Sequence, residues 1–255
     1  MNRAMRSIDL NCDMGEGFGI YELGHDEQLL AEVTSANIAC GFHAGDPSVM
    51  RRTVQSALRH GVAIGAHPGF ADLAGFGRRQ MQLSVQEVRD LITYQIGALQ
   101  AFVHQEGGRL HHVKPHGALY NMAAVSLPLA EAIAGAIADL DSSLILYGLS
   151  GSQLIEAGRA AGLKVASEVF ADRTYQADGT LTPRTHQNAM LHDASQAAEQ
   201  IMNMLHTRTV RAIDGTVVPI EAATVCIHGD GARAVDFARE LKKCLLAEGI
   251  ALNTI

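Results

Sequence analysis

Residues 7–17 read SIDLNCDMGEG, a short strand and turn that crowd three acids and an amide among apolar neighbours. Successive side chains of a strand point to opposite faces. Ile8, Leu10 and Cys12 therefore share one face, while Asp9, Asn11 and Asp13 share the other. What the polar face looks onto depends on the elements that follow.

Moving outward, short runs rich in branched residues recur at 35–40 (SANIAC), 62–66 (VAIGA), 110–114 (LHHVK), 143–149 (SLILYGL), 164–170 (KVASEVF) and 224–228 (TVCIH). Segments with helical spacing lie between them. One covers 47–60, with Asp46 as N-cap and Pro47 at the first helical position. Another covers 84–106, where Ser84 and Glu87 form a capping-box pattern and Val88, Leu91, Ile92, Ile96, Leu99 and Val103 one stripe. A third covers 231–248, with Val235, Ala238, Leu241 and Leu245 on one face and Gly249 as a stop. Strand then helix, repeated, predicts parallel strands with right-handed crossovers. About seven such units in 255 residues suit a closed β/α barrel, with an open doubly wound sheet as the alternative. Asp214-Gly215 between branched residues predicts a small hairpin within 209–222. No linker or low-complexity segment interrupts residues 1–255, so one domain is expected.

In a barrel, Asp9, Asn11 and Asp13 point along the axis while Ile8, Leu10 and Cys12 pack outward. Asp9 is expected in core hydrogen bonds, Asn11 and Asp13 at the mouth, and Glu16 in the loop beyond. Loops after the strands gather at that mouth, where chemistry is found. The other strand ends supply His43 and Asp46, His67, then Lys114, His116 and Asn121, then Glu168, Asp172 and Arg173, and finally His228 and Asp230. Only the fifth end, LILYGLSG, has no ionisable group besides Tyr147. Acids crowded near Lys114 and Arg173 are expected to have perturbed pKa values. Asp13, His43, His67, His116 and Asp230 are also the types that ligate a divalent metal, although no two lie at a recognised short spacing.

Other signals exclude functions. Glycines at 15, 17 and 19 lack the context of a dinucleotide fingerprint, and no P-loop, H-E-x-x-H or G-x-S-x-G occurs. A formal net charge of -7 argues against nucleic acid or an anionic membrane as the main partner. No run approaches the ~20 apolar residues of a membrane span, and MNRAMRSIDL is too short and polar for a signal peptide. A cytoplasmic protein is expected. Cys12, Cys40 and Cys226 sit in apolar runs as packing thiols, and no C-x-x-C occurs. His111 and His112 read as structural.

DLNCDMGEGFG, SANIACGFHAGDP, GVAIGAHPGFADLAGFGRR, VKPHGALYN, SEVFADRTYQADGTLTPR and VCIHGDG occur in the order and at about the separations of the LamB/YcsF family. The resemblance runs from about Ile8 to the final helix. It implies an α/β fold, a seven-stranded (β/α) barrel of the glycoside hydrolase/deacetylase type. It also implies a 5-oxoprolinase activity, the ATP-dependent opening of 5-oxo-L-proline to L-glutamate, performed with two partner subunits, B and C. Asn188 stands where the family pattern has glycine, a residue type that tolerates left-handed geometry, and Thr182 where valine is frequent.

On that implied chemistry, Asp13 with His67 or His116 handles protons, and Lys114 and Arg173 stabilise anionic oxygen. Asp172 and Asp230 orient these groups or help hold a metal with the nucleotide. Asn11, Glu16, His43, Asn121, Glu168 and His228 complete the expected substrate- or nucleotide-binding set. Lys114 has a rival reading as a structural partner of Asp9 or Glu168. Two alternatives stand beside the lactam reading: a metal-dependent deacetylase or amidase acting alone, and a non-catalytic small-molecule binding subunit.

Overall fold

The computed structural model describes residues 7–228 and 233–255. In chain order the elements are β1 (Ser7–Met14), α1 (Asp26–Leu30), β2 (Ser35–Ala39), α2 (Pro47–His60), β3 (Ala63–His67), α3 (Val85–Gln105) and β4 (Leu110–Val113). They continue with α4 (Gly117–Val125), α5 (Leu127–Leu140), β5 (Ile145–Leu149), α6 (Gln153–Ala160), β6 (Lys164–Phe170) and α7 (Ala194–Thr207). Last come β7 (Thr209–Arg211), β8 (Val217–Pro219), β9 (Thr224–Ile227), α8 (Ala234–Ala247) and β10 (Ala251–Leu252).

Strands β1 to β6 pair in sequence, each parallel to the next, and β9 pairs with β6 on one side and β1 on the other. The register Asp9↔Thr224 to Cys12↔Ile227 closes a seven-stranded barrel, which rules out the open sheet. Short β10 lies beside the start of β1, outside the ring. Strands β7 and β8 form an antiparallel ribbon between α7 and β9.

Local chemistry explains the helices. Asp46 accepts from the Ser48 and Val49 amides at the start of α2, Pro47 occupies its first turn, and Gly61 ends it at φ 68°. Ser84 and Glu87 form a reciprocal capping box on α3. The stripe from Val88 to Val103 is buried against the barrel, as are Val235, Ala238, Leu241 and Leu245 of α8. Helices α4 and α5 are bent by 116° at Ser126, where the chain leaves the helical region. No single helix among the described residues is long and apolar enough to cross a membrane.

Leu10 and Cys12 are fully buried in the layer between barrel and helices, and Asp9, Asn11 and Asp13 face inward. Six of the seven barrel strands follow one another directly, so their carboxyl ends share one rim. That rim positions the site.

Candidate active site

The interior is built in layers. At the floor, Asp9 accepts from four hydroxyls: Thr34 at 2.6 Å, Ser35 at 2.6 Å, Thr224 at 2.6 Å and Tyr147 at 3.0 Å. Such a saturated carboxylate is a strut and has no room for a ligand. Above it, Asn11 donates to Glu168 (3.0 Å) and Thr224 (2.7 Å) and accepts from Asn37 (2.7 Å). His112 reaches across to Asn37 Oδ1 at 2.8 Å and stacks on Tyr147 with centroids 4.1 Å apart. This is possible only because residue 65 is glycine: a Cβ there would lie 2.1 Å from His112 Nε2.

Lys114 ties this layer to the next. Its Nζ lies 2.9 Å from Asp13 Oδ1, 2.9 Å from Glu168 Oε1, 3.0 Å from Cys226 Sγ and 3.2 Å from Asn11 Oδ1. Tyr120 donates to the other Glu168 oxygen at 2.6 Å. Burial opposes a charge here, yet Asp13 above all holds the ammonium well above the usual lysine range. Burial alone would raise the Asp13 carboxyl, but His67 and Lys114 beside it keep it well below the usual carboxylate range. The Cys226 thiol is pushed up by burial, so it meets Lys114 as a neutral group.

At the top, Asp13 Oδ2 stands 3.4 Å from His67 Nε2. His67 Nδ1 lies 2.7 Å from the Lys114 carbonyl, and His116 Nε2 lies 2.8 Å from that of Phe76. A carbonyl only accepts, so each of these nitrogens carries the proton. The remaining nitrogens, His67 Nε2 and His116 Nδ1, face each other 3.0 Å apart. His43 stacks flat on His116 at 3.7 Å and 4°. It is fully buried, and neither of its ring nitrogens has a hydrogen-bond partner. Burial holds both His43 and His116 well below the usual histidine range, in the neutral form. Glu16 lies 3.8 Å from each of these two rings. One ligand atom each from Glu16, His43, His67 and His116 falls within 4.8 Å of the others. Asp13 belongs to a second such group, with Cys226 and His228.

Asp13, His67, Lys114 and His116 open onto a cavity of about 670 Å³. Its far wall is the loop between β6 and α7. Bridges Arg173↔Met190 and Tyr175↔Leu181 hold that loop, and it supplies Arg173, Gln176, Asp178 and residues 180–185. Asn121 and His228 also line the cavity. Asp172 lies behind, with both carboxylate oxygens 2.9 Å from His228 Nδ1. Asn11, Glu16, His43 and Glu168 lie outside the lining, so of the expected upper pair only Asp13 reaches the mouth. Asp230 falls outside the described residues. Asn188 does not adopt the left-handed conformation, which among described non-glycine residues only Phe76 and Arg208 use.

Sequence reasoning missed Asn37, Tyr120, Arg78 and Arg184, and read His112 and Cys226 as structural without placing them at Asn37 and Lys114. Asn37 was readable, since SANIAC alternates Ser35 and Asn37 against Ala36 and Ile38 as β1 does. Arg78 and Arg184 sit in loops, where no periodicity points to a face.

The family model described as "LamB/YcsF family" matches residues 8–255. The 5-oxoprolinase A subunit of Geobacillus kaustophilus is 64% identical over 249 residues, covering 98% of this chain and 97% of that protein. The crystal structure of "Lactam Utilization Protein" from Thermus thermophilus superposes with a TM-score of 0.92 at 44% identity, covering 98% of this chain and 100% of that one. Peptidoglycan deacetylase PdaC from Bacillus subtilis superposes with a TM-score of 0.50 at 14% identity, covering 100% and 90%. At that identity the likeness shows the shared barrel alone.

Proposed function

The chain belongs to the LamB/YcsF family, and from that premise we propose that it acts as the A subunit of a 5-oxoprolinase. The reaction is hydrolysis of the ring amide of 5-oxo-L-proline: water adds to the carbonyl, the C–N bond breaks, the nitrogen takes a proton, and L-glutamate results. The observation that carries the reading is the top of the barrel. There an ionised carboxylate stands beside two buried imidazoles on the wall of a cavity in a chain 64% identical to a protein named for this activity.

Asp13 and His67 are placed to take a proton from water and deliver one to the leaving nitrogen. Lys114 sets the position of Asp13 from below, and Arg173 supplies positive charge from the opposite wall. A five-membered lactam is a stable amide, so we extend the proposal to ATP as co-substrate and to subunits B and C as partners. Mixing the chain with B and C, adding ATP and 5-oxo-L-proline, and following glutamate and ADP together tests it. Equal production of both is expected; glutamate without ADP would remove the ATP coupling, and neither would remove the reaction.

A divalent metal is the second part of the proposal. The donor set fits one: His43 is buried with two unbonded nitrogens, and His67 and His116 each engage a carbonyl through one nitrogen while the other faces inward. Glu16, His43, His67 and His116 would hold it. Such an ion, when bound, supplies Lewis acidity to polarise a carbonyl. Calorimetric titration of the chain with Zn²⁺ or Mn²⁺ is expected to show one site that His43→Ala removes. The same cluster favours the reading of a metal-dependent deacetylase or amidase acting alone. Release of acetate from acetylated sugars without ATP would support that reading over the lactam one.

A further inference from the structure

Arg173 is a buried guanidinium whose hydrogen bonds run to neutral groups. Its Nε donates to the Ala189 carbonyl at 3.3 Å and its Nη2 to that of Thr182 at 2.5 Å. The acid beside it in sequence, Asp172, is turned to His228. Among the described residues, no carboxylate forms an ion pair with Arg173. Asp172 acts on Arg173 only from a distance, and a buried charge without a contacting counter-charge is costly, which gives the site a reason to take up an anion. Arg184 and Arg78 stand on the rim of the same cavity, so a chain of net charge -7 gathers three guanidinium groups around one opening. Burial first and Arg184 next push the Arg173 guanidinium down to about 10. The acid on this wall, Asp178, has Oδ1 taken by the Thr180 amide at 2.9 Å and its hydroxyl at 2.7 Å.

We infer that Arg173, with Arg184 and Arg78 at the rim, seats the carboxylate of the substrate and so directs its amide carbonyl toward Asp13, His67 and His116 across the cavity. A guanidinium presents a planar fork that matches a planar carboxylate, and one buried cation matches one negative charge. The identity of the acid rests on the lactam reading above. The preference for a small organic anion rests on the cavity.

Two lactams of the same ring decide the matter: 5-oxo-L-proline carries the carboxylate and 2-pyrrolidinone lacks it. Calorimetric titration of the full chain is expected to show ~10- to 100-fold tighter binding of 5-oxo-L-proline, the range of a charge-assisted hydrogen bond. Arg173→Gln is expected to remove most of that difference, and Arg173→Lys, which keeps the charge but loses the fork, and Arg184→Gln, at the rim, each part of it. In the enzyme assembled with its partner subunits, Arg173→Gln should raise KM for 5-oxo-L-proline by a similar factor, and Arg184→Gln by a smaller one, each with a much smaller change in kcat. Circular dichroism and Tm report whether each variant is folded. Equal binding of the two lactams would overturn the inference, as would a loss of kcat at unchanged KM. Stronger competition by inorganic phosphate would overturn it too, by making this a phosphoryl seat. If the wild-type assembly leaves 5-oxo-L-proline intact, the proposed reaction fails by itself, and the paired titration still decides the carboxylate seat.

Discussion

At Lys114 a sequence signal read as chemistry proves to be architecture as well. The ammonium sits between Asp13 and Glu168, each at 2.9 Å, with all three groups buried. Removing one partner of a buried pair leaves the others uncompensated, which costs about 3–5 kcal/mol. Lys114→Met is therefore expected to lower stability by that amount in urea unfolding; a variant as stable as the wild type would return Lys114 to a purely chemical role. Asp13→Asn keeps the shape of the side chain and should reduce turnover of the assembled enzyme ~10²- to 10⁴-fold. Near-normal turnover would take Asp13 out of the mechanism. Gly65 is the quietest position in this network. An added methyl would collide with the His112 ring, so Gly65→Ala is expected to cost ~1–3 kcal/mol in the same unfolding measurement. No residue-level rule names Gly65, because the ring it makes room for comes from β4, far along the chain.

Elements were legible where their ends carry chemistry. The N-cap of α2 and the capping box of α3 stand where Asp46-Pro47 and Ser84/Glu87 put them. Asp46 does more than cap, since its second oxygen accepts from the Gly19 amide at 2.7 Å and pins the loop after β1 to the start of α2. Asp46→Ala should cost about 1 kcal/mol. The Val49 amide first, and that of Gly19 next, hold the Asp46 carboxyl below its usual range. Its contribution is thus complete above the unfolded pKa of ~3.9 and fades as pH falls through the lower folded value. The stability gap between wild type and Asp46→Ala should accordingly close in acid, as urea titrations at neutral and low pH would show; a constant gap would mean that the carboxylate is not the capping group. Helices α4 and α5 start without a side-chain cap, whereas Ser152 caps α6 and Asp193 caps α7. The arginine-bearing loop between β6 and α7 has no period, so its role in walling the cavity was invisible from its residues.

For the molecule as a whole, the decisive contact joins the first strand to the last of the ring. Asp9 faces Thr224, 215 positions away, and the two share a 2.6 Å hydrogen bond. Deleting residues 209–255 would remove β9 and leave β1 and β6 as open edges, with Asp9 short of one of its four hydroxyl partners. Such a fragment is expected to bind a hydrophobic dye and to lack a cooperative unfolding transition. A sharp transition would mean that closure is dispensable. Much of the site follows from the same closure, because side chains from β1, β3, β4 and β6 meet only when the ring is complete.

Local order in the sequence determined the class of fold: strands and helices alternate, the first strand alternates polar with apolar, and polar groups recur at strand ends. Those are short-range patterns, set by backbone geometry within a few residues. Which inward groups become struts and which meet the cavity was decided only by tertiary structure. Asp9, Asn11 and Asp13 are equivalent along β1, yet their depth in the barrel sets how many partners reach them. Four hydroxyls saturate Asp9, a buried network holds Asn11, and Asp13 alone keeps one oxygen toward the histidines. Hydrogen bonding and desolvation depend on neighbours delivered by distant strands, and no window of sequence contains them.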